Sequence, residues 1–313
     1  KTVTITSSFT NTISPASGSA SGTMALTRSS FTVSYNANGG SGAPSAQTKY
    51  YGTNLTLSST QPTRSNYTFL GWGTSASDTS VDYAAGATYT SNASTTLYAI
   101  WRASVSLVYN ANGGSGAPSA TNDYIYNATT SKSITVSSTV PSRTGYTFKG
   151  WSTSSTATSA SYVAGNTVSV SAGQTVTLYA GWSANTYYIK YNANGGSGTM
   201  SNSTHTYGQA YNLTANAFTK TGYKFSGWAK TSTGTVAYSD KASFSNMSST
   251  NGETINLYAV WTANTYTVTY NANGGTGSMS SSTATYNQAF KTRKNVFTKD
   301  GYTFNGWNEK ADG

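Results

Sequence analysis

Acid–base and nucleophilic chemistry would have to come from very few side chains in this sequence. It has one histidine, His205, no cysteine, and eight acidic residues. The acids are Asp78, Asp82, Asp123, Asp240, Glu253, Asp300, Glu309 and Asp312. A Ser-His-Asp triad assembles in space, and glycoside hydrolysis needs two carboxyl groups around one bond. His205 has no acid near it in sequence, and no acid recurs at an equivalent place. We therefore expect a surface histidine, no catalytic residue, no cofactor and no enzyme activity.

Four cations recur at one position and could contact an anionic polymer. Each stands three residues before a tyrosine that begins a Tyr-x-Phe-x-Gly-Trp sequence. They are Arg64, Arg143, Lys220 and Lys299. Weak sites that repeat along one chain add through effective concentration, so a row of cations would suit a multivalent contact. The simpler interpretation is a solubilising residue in a turn, and the sequence leaves both interpretations open.

Four loops rich in asparagine and glycine could hold a cation through amide and backbone oxygens. They have the sequence Tyr-Asn-Ala-Asn-Gly-Gly and begin at Tyr35, Tyr109, Tyr191 and Tyr270. Calcium sites normally include several carboxylates, and these loops have none. Glycine and asparagine tolerate a positive φ at little cost. We therefore predict hairpin turns or bulged loops, and no metal site.

These motifs belong to a repeat that places all seven tryptophans at two positions. Each loop is followed by a Tyr-x-Phe-x-Gly-Trp element, and three copies close with Leu-Tyr-Ala-x-Trp. The tryptophans, which we assign to the structural core, are Trp72, Trp101, Trp151, Trp182, Trp228, Trp261 and Trp307. The tryptophans of successive Gly-Trp elements lie 79, 77 and 79 residues apart. A unit of this size can fold as a small domain, so we predict an array of one folded unit.

The elements within each unit are predicted to be β-strands. Residues 31–35 and 266–270 alternate with period two, as half-buried strands do. In the Gly-Trp element the tryptophan directly follows a glycine, and a regular strand would turn it away from the preceding phenylalanine. We therefore predict a bulge at this glycine that redirects the tryptophan. The regions that follow, residues 83–90, 162–168 and 238–244, are predicted to hold a loop or one short helix.

Large aromatic side chains are predicted to form each core, because a small domain needs them to bury enough apolar surface. Besides the tryptophans, we place in the core the phenylalanine of each Gly-Trp element: Phe69, Phe148, Phe225 and Phe304. Less regular tyrosines are candidates for an exposed surface: Tyr50, Tyr51, Tyr124 and Tyr126.

The repeat also predicts the domain organisation. Residues 1–30 form a Ser/Thr-rich N-terminal segment or the tail of a preceding domain, with strand-like alternation at residues 2–6. Repeat 1 then spans 31–102, repeat 2 spans 103–183, repeat 3 spans 184–262, and an incomplete repeat 4 spans 263–313. Short linkers predict a semi-rigid, beads-on-a-string rod. Since the chain begins at Lys1 and stops inside repeat 4, we expect it to be part of a longer protein.

Composition narrows the classes of partner. Charged residues make up 8% of the chain, and the net charge is +10 at pH 7. A basic surface can meet wall polymers, anionic glycans, membrane surfaces or nucleic acid. No nucleic-acid-binding module or basic helix accompanies the charge, and no run approaches the roughly 18 apolar residues of a membrane span. The absence of cysteine excludes disulfides and zinc-thiolate sites. We therefore expect neither nucleic-acid binding nor a membrane span.

The three linked motifs resemble the Listeria–Bacteroides repeat, the B-repeat of internalin-type surface proteins. The resemblance covers residues 31–313. It implies small β-grasp-like domains in exported cell-surface proteins of bacteria, with a spacer, adhesion or assembly role and without enzyme activity. Two departures stand out. Repeat 1 has Ser65-Asn66 where the other copies have glycine before the tyrosine, and repeat 4 lacks the closing strand.

We therefore expect a mostly β, tandem array of β-grasp-like domains that acts as a non-enzymatic spacer and adhesion stalk of an extracellular, cell-surface protein. The expected partners are cell-wall or host glycans, or surface proteins. The alternative is a structural subunit of a phage particle, as a decoration or fibre protein, or of a surface filament, located in the virion or the extracellular filament. A strand of one chain would then complete another chain's sheet, which is self-assembly through edge strands.

Overall fold

The computed structural model describes residues 27–157 and 159–312. Most of the predicted N-terminal segment, including the strand predicted at residues 2–6, lies outside the described residues. All regular secondary structure in the described residues is β-strand, which confirms the mostly β fold class.

The strands follow the repeats in order. Repeat 1 contributes β1 (Ser30–Asn36), β2 (Gln47–Tyr50), β3 (Leu55–Thr56), β4 (Thr68–Gly73), β5 (Thr88–Tyr89) and β6 (Thr95–Asn110), which runs on into repeat 2. Repeat 2 adds β7 (Thr121–Tyr126), β8 (Ser131–Thr135), β9 (Tyr146–Ser152), β10 (Thr167–Ser171) and β11 (Thr175–Ala184). Repeat 3 adds β12 (Thr186–Asn192), β13 (Ser203–Thr206), β14 (Ala210–Asn212), β15 (Tyr223–Ala229), β16 (Ser243–Ser245) and β17 (Thr254–Ala263). Repeat 4 adds β18 (Thr265–Val268) and β19 (Ser282–Thr285).

The regions that were predicted to hold a loop or one short helix contain short strands, so the helix alternative is wrong. The first region holds β5, and β10 and β16 begin in the other two. These strands pair antiparallel with β3, β8 and β14. The physical reason is visible in β10, where Val168 and Val170 alternate into the core. Apolar residues spaced by two suit a strand rather than a helix, whose inward positions recur every three or four residues.

The described residues divide by their contacts into two units. The first consists of the residues up to Ser104 together with Tyr124–Thr130, and the second holds the remainder. In the first unit β1 lies parallel to β6 and antiparallel to β2, and β6 lies antiparallel to β4. The sheet order is therefore β2-β1-β6-β4. Its buried core contains Val33, Leu57, Trp72, Leu97 and Trp101.

The bulge predicted at the glycine of the Gly-Trp element is confirmed. The pairing of β4 with β6 shifts register between Phe69 and Gly71, and Gly71 has a φ of 153°. A Cβ on Gly71 would lie 2.4 Å from Val81 Cγ1, so no side chain fits there. The bulge places Trp72 beside Phe69, with ring centroids 5.1 Å apart. The same register shift occurs in β9–β11 and β15–β17.

The second unit repeats this arrangement. Its four-stranded sheet has the order β13-β12-β17-β15, with β12 parallel to β17. Along β12 every second residue is buried, namely Tyr187, Ile189 and Tyr191, because alternate side chains of a strand point to opposite faces. These residues pack with Trp228 and Leu257 in one core.

Consecutive repeats of the second unit are joined very tightly. Asn185 alone separates β11 from β12, and Asn264 alone separates β17 from β18. The short linkers are thus reduced to one residue each, because both flanking strands extend into them.

Candidate functional site

The second asparagine of each Asn-Ala-Asn-Gly-Gly loop ties the loop to the rest of its repeat. Asn38 has a φ of 47°, and its Nδ2 donates to the carbonyl of Ala99 in the closing strand and to that of Ala76, both at 2.9 Å. Its counterparts Asn112 and Asn194 make the same pair of bonds. The side-chain oxygen of Asn36 accepts from the Asn38 amide at 2.8 Å. The loop amides therefore hold strands together, which favours the turn over a cation site.

The closing tryptophan is seated on the same loop. Trp101 Nε1 donates to the Ala37 carbonyl at 2.8 Å, and a Cβ on Gly40 would lie 2.5 Å from Trp101 Cζ2. Trp182 and Trp261 make the equivalent bond in repeats 2 and 3, at 2.9 Å each. The second glycine of the loop is thus required because the tryptophan ring occupies the space of a side chain.

Each recurring cation lies over the tyrosine three residues further on. Arg64 Cζ is 3.9 Å from the ring centroid of Tyr67, and Arg143 Cζ is 3.9 Å from that of Tyr146. The lysines do the same with Nζ at 4.6 Å, in the pairs Lys220–Tyr223 and Lys299–Tyr302. Such a cation–π contact is worth about 0.5–1 kcal/mol at an exposed site.

The first glycine of the loop forms the other side of this cation site. A Cβ on Gly39 would lie 3.5 Å from Arg64 Cζ, and one on Gly195 would lie 3.3 Å from Lys220 Nζ. In repeat 4, Lys299 Nζ donates to the Asn273 carbonyl at 3.3 Å. The structure therefore brings each cation together with a tyrosine ring and an Asn-Gly loop of its own repeat.

A tight turn sets the spacing between cation and tyrosine. The carbonyl of each cation accepts from the amide of its tyrosine, at 3.2 Å in repeat 1 and 3.0 Å in the other three. The third residue of the turn has a positive φ: Asn66 (65°), Gly145 (77°), Gly222 (77°) and Gly301 (78°). Asparagine is the residue after glycine that tolerates this region best. The departure of repeat 1 from the glycine pattern therefore preserves the turn.

The cations differ in what remains accessible. Arg64, Arg143 and Lys220 are half-buried, and Lys299 is exposed. Arg64 Nη1 also donates to the Asn127 carbonyl. Each charged group contacts a tyrosine ring but keeps part of its surface exposed to solvent, where an anion can bind. The arrangement is therefore compatible with both a turn-stabilising and a polymer-binding role.

The expectation of a surface histidine is wrong. His205 is 5% exposed, and it packs among the rings of Tyr187, Tyr211 and Phe244. Its Nε2 lies 2.7 Å from Ser203 Oγ, and burial lowers the pKa of His205 from its ordinary 6.5. In the described residues this hydrogen bond joins the ring to a hydroxyl rather than to an acid. His205 therefore behaves as a core residue of repeat 3.

Sequence reasoning missed that polar residues enter the core at this strand position. Lys49 pairs with Phe31 in repeat 1 as His205 pairs with Tyr187 in repeat 3. Lys49 is also buried, and its Nζ lies 2.8 Å from Asn92 Oδ1. The strand register could have indicated this burial, since both positions pair with the first aromatic residue of their repeat.

The aromatic residues occupy graded environments. Trp72, Trp101, Trp151 and Trp228 are buried, while Trp182, Trp261 and Trp307 are half-buried. Phe69, Phe148 and Phe225 are half-buried against two tryptophans each. Phe304 is 47% exposed, so its core assignment is wrong. Within the described residues the Phe304 ring contacts Trp307 alone among the tryptophans, with centroids 4.9 Å apart. Tyr50, Tyr51 and Tyr124 are exposed as expected, whereas Tyr126 is half-buried.

The described residues also bear on metal binding and on membrane insertion. No group of three or more His, Cys, Asp or Glu side chains there is arranged to hold a metal ion. No helix in that part of the chain is long and apolar enough to cross a membrane.

The all-β repeats, with their recurring loop, cation turn and closing tryptophan, define a tandem repeat protein. The Listeria-Bacteroides repeat domain matches residues 31–100, 106–181, 187–260 and 266–313, and the chain belongs to this family.

Relatives include two proteins of known source. A protein of Evansella cellulosilytica named "Putative membrane protein" is 30% identical over 292 residues, which cover 90% of this chain and 40% of the relative. Internalin H of Listeria monocytogenes is 36% identical over 98 residues, which cover 30% of this chain and 16% of the internalin. The chain thus spans well under half the length of either relative.

Proposed function

We propose that this chain is a non-enzymatic spacer and adhesion stalk in an extracellular, cell-surface protein of a bacterium. The observation that carries the proposal is the junction between repeats. Asn185 donates its amide to Gly145 and accepts at its carbonyl from Tyr207, both at 2.9 Å. Asn264 makes the same bonds with Gly222 and Tyr286, both at 2.8 Å. A spacer needs such restricted junctions, because a flexible linker would not hold a distal domain at a set distance.

The side chains that recur in every repeat support a role without catalysis. The asparagine, glycine and tryptophan of the loop are used to hold strands together, and His205 belongs to a core. The acids lie at unrelated places in the repeats. An array that rebuilds the same packing in each unit, with no recurring acid–base pair, suits a mechanical role.

The relatives support the location. Internalin H and the Evansella protein named "Putative membrane protein" align with this chain, and the repeat family resembles that of surface proteins. We propose cell-wall or host glycans, or surface proteins, as partners of the stalk. We also propose that the repeats are β-grasp-like, since in repeats 1 and 3 the first and last strands lie parallel and adjacent in the middle of the sheet.

The spacer role is tested by changing the number of repeats. In the full-length, surface-anchored protein, repeat 3 is deleted and the height of an N-terminal fluorophore above the cell surface is measured by interference microscopy. We expect the height to fall, and to rise again when a copy of repeat 3 is reinserted. A height that does not depend on the number of repeats contradicts the proposal.

The alternative, a subunit of a phage particle or filament, depends on strand exchange between chains. The strand predicted to take part, at residues 2–6, lies outside the described residues. Sedimentation of the purified chain separates the two proposals: association that increases with concentration favours the subunit, and a constant monomer favours the stalk.

A further inference from the structure

The docking of repeat 3 onto repeat 2 depends on a position where only glycine fits. Tyr207, just after β13, lies against Gly145 in the turn before the Gly-Trp element of repeat 2. A Cβ on Gly145 would lie 2.2 Å from Tyr207 Cδ1, closer than any real Cβ contact. The Tyr207 ring also meets the ring of Tyr146 edge-on, with centroids 5.9 Å apart. Asn185 connects the two partners by hydrogen bonds to both.

The same contact joins repeats 3 and 4. A Cβ on Gly222 would lie 2.2 Å from Tyr286 Cε1, and the Tyr286 ring lies 5.6 Å from that of Tyr223. Asn264 again bonds to both sides. Two junctions of one chain thus use the same three residue types: an acceptor glycine, a junction asparagine and a docking tyrosine.

The residues that follow repeat 1 are arranged differently, and all three residue types change together. The acceptor glycine is replaced by Asn66, whose Cβ would obstruct a docked ring, and Ser104 stands where the junction asparagine would be. Asn127 directly follows β7, where a docking tyrosine would stand. The segment that contacts the turn is Asn127–Thr129. The Asn127 carbonyl accepts from Arg64, and the Thr129 carbonyl accepts from the Tyr67 hydroxyl. Hydrogen bonds replace the tyrosine ring at this turn.

Tyr51 of repeat 1 occupies the position equivalent to the docking tyrosine, directly after β2. Its amide donates to the Ser29 carbonyl at 2.9 Å, as Tyr207 donates to Asn185. Tyr51 is 60% exposed, whereas Tyr207 and Tyr286 are half-buried. At Tyr207 and Tyr286 the glycine turn of the preceding repeat lies against the ring and helps to bury it.

We propose that the acceptor glycine, junction asparagine and docking tyrosine form a recognition joint between repeats. A repeat with glycine at this turn accepts a following repeat that presents a tyrosine just after its second strand, and a repeat with asparagine there does not. The partner of each glycine turn is thus another repeat of this family with a docking tyrosine. The proposal is independent of the spacer role, since the joint holds whatever the array carries.

A double-mutant cycle on the whole chain tests the joint. The variants are Gly145→Asn, Tyr207→Ala and the two combined. The readout is hydrogen exchange of the Asn185 and Tyr207 amides, which bond across the joint. Asparagine is chosen because Asn66 adopts the required φ at the same turn position. The matched control is Gly301→Asn, since Gly301 has a φ of 78° and nothing within 4 Å of an added Cβ.

We expect Gly145→Asn to speed exchange of these two amides about tenfold or more, as local opening of the joint does. In the Tyr207→Ala background the same change should add less than about twofold, because the ring that Asn would strike is gone. Gly301→Asn should leave the exchange of the Asn185 and Tyr207 amides unchanged.

Amides within β12 and β17 report whether the variant is folded. If Gly145→Asn unfolds the chain, Tyr207→Ala alone should still speed exchange at Asn185. Additive effects, or equal effects of the Gly145 and Gly301 changes, overturn the proposal.

Discussion

Individual residues of this chain carry the same contact from repeat to repeat, which makes their roles separable by substitution. The cations are the clearest case. Each is held over a tyrosine beside an Asn-Gly loop, yet part of each charge remains open to solvent. Stacking on the tyrosine explains the spacing of three residues, and it leaves the polymer-binding role to be measured.

A charge-matched pair of variants tests the cation row. The first variant replaces the row, with the changes Arg64→Ser, Arg143→Ser, Lys220→Ser and Lys299→Ser. The control removes four exposed lysines that do not stack on a tyrosine, with the changes Lys149→Ser, Lys190→Ser, Lys224→Ser and Lys291→Ser. If the row binds an anionic polymer, binding of purified wall polymer falls about tenfold or more in the first variant only, because multivalent contacts are lost together. Equal losses in both variants would mean that only net charge matters.

The buried histidine predicts a pH dependence of stability. Burial lowers the pKa of His205, so the unfolded chain binds this proton more readily than the folded one. The stability that depends on neutral His205 is complete above pH 6.5 and is lost as the pH falls below that value. Denaturant unfolding between pH 7.5 and 5.5 should show a falling midpoint. In His205→Ala, which copies Ala284 at the same register of repeat 4, the slope should be smaller. An unchanged slope would show that His205 has the same pKa in the folded and unfolded chains, and would contradict the prediction.

At the scale of elements, sequence patterns predicted what depends on local chemistry. The bulge at Gly71 follows from a tryptophan placed directly after a glycine in an alternating strand. The turns follow from asparagine and glycine at positive φ. The short strands β5, β10 and β16 were less accessible, because two to five residues carry little periodicity and their pairing partners lie 30 or more residues away. The burial of His205 was missed because the residues around it in sequence are polar. Only its pairing with Tyr187 in the strand register places its side chain in the core.

The junctions between elements show the same limit. Their short length was evident from the sequence, but the contact between Gly145 and Tyr207 joins residues of different repeats. Nothing in either repeat alone indicates this pairing. It becomes recognisable only when the turn and the end of β13 are seen to meet at Asn185.

At the scale of the whole molecule, repeats 2, 3 and 4 are joined by the same backbone contacts at Asn185 and Asn264. Family membership, the recurring packing and the one-residue junctions agree with a stalk. The central claim is that repeats 2 and 3 are held in one fixed arrangement, because a stalk with a mobile junction could not act as a spacer.

The absence of native cysteine makes that claim directly measurable, since two introduced thiols can be labelled without competition. Lys149→Cys in repeat 2 and Lys224→Cys in repeat 3 place spin labels at exposed positions of β9 and β15. Pulsed electron–electron double resonance then reports the distribution of distances between them. If the joint is rigid, we expect a single narrow distribution that broadens in Tyr207→Ala. A broad distribution in the unaltered chain would contradict that claim.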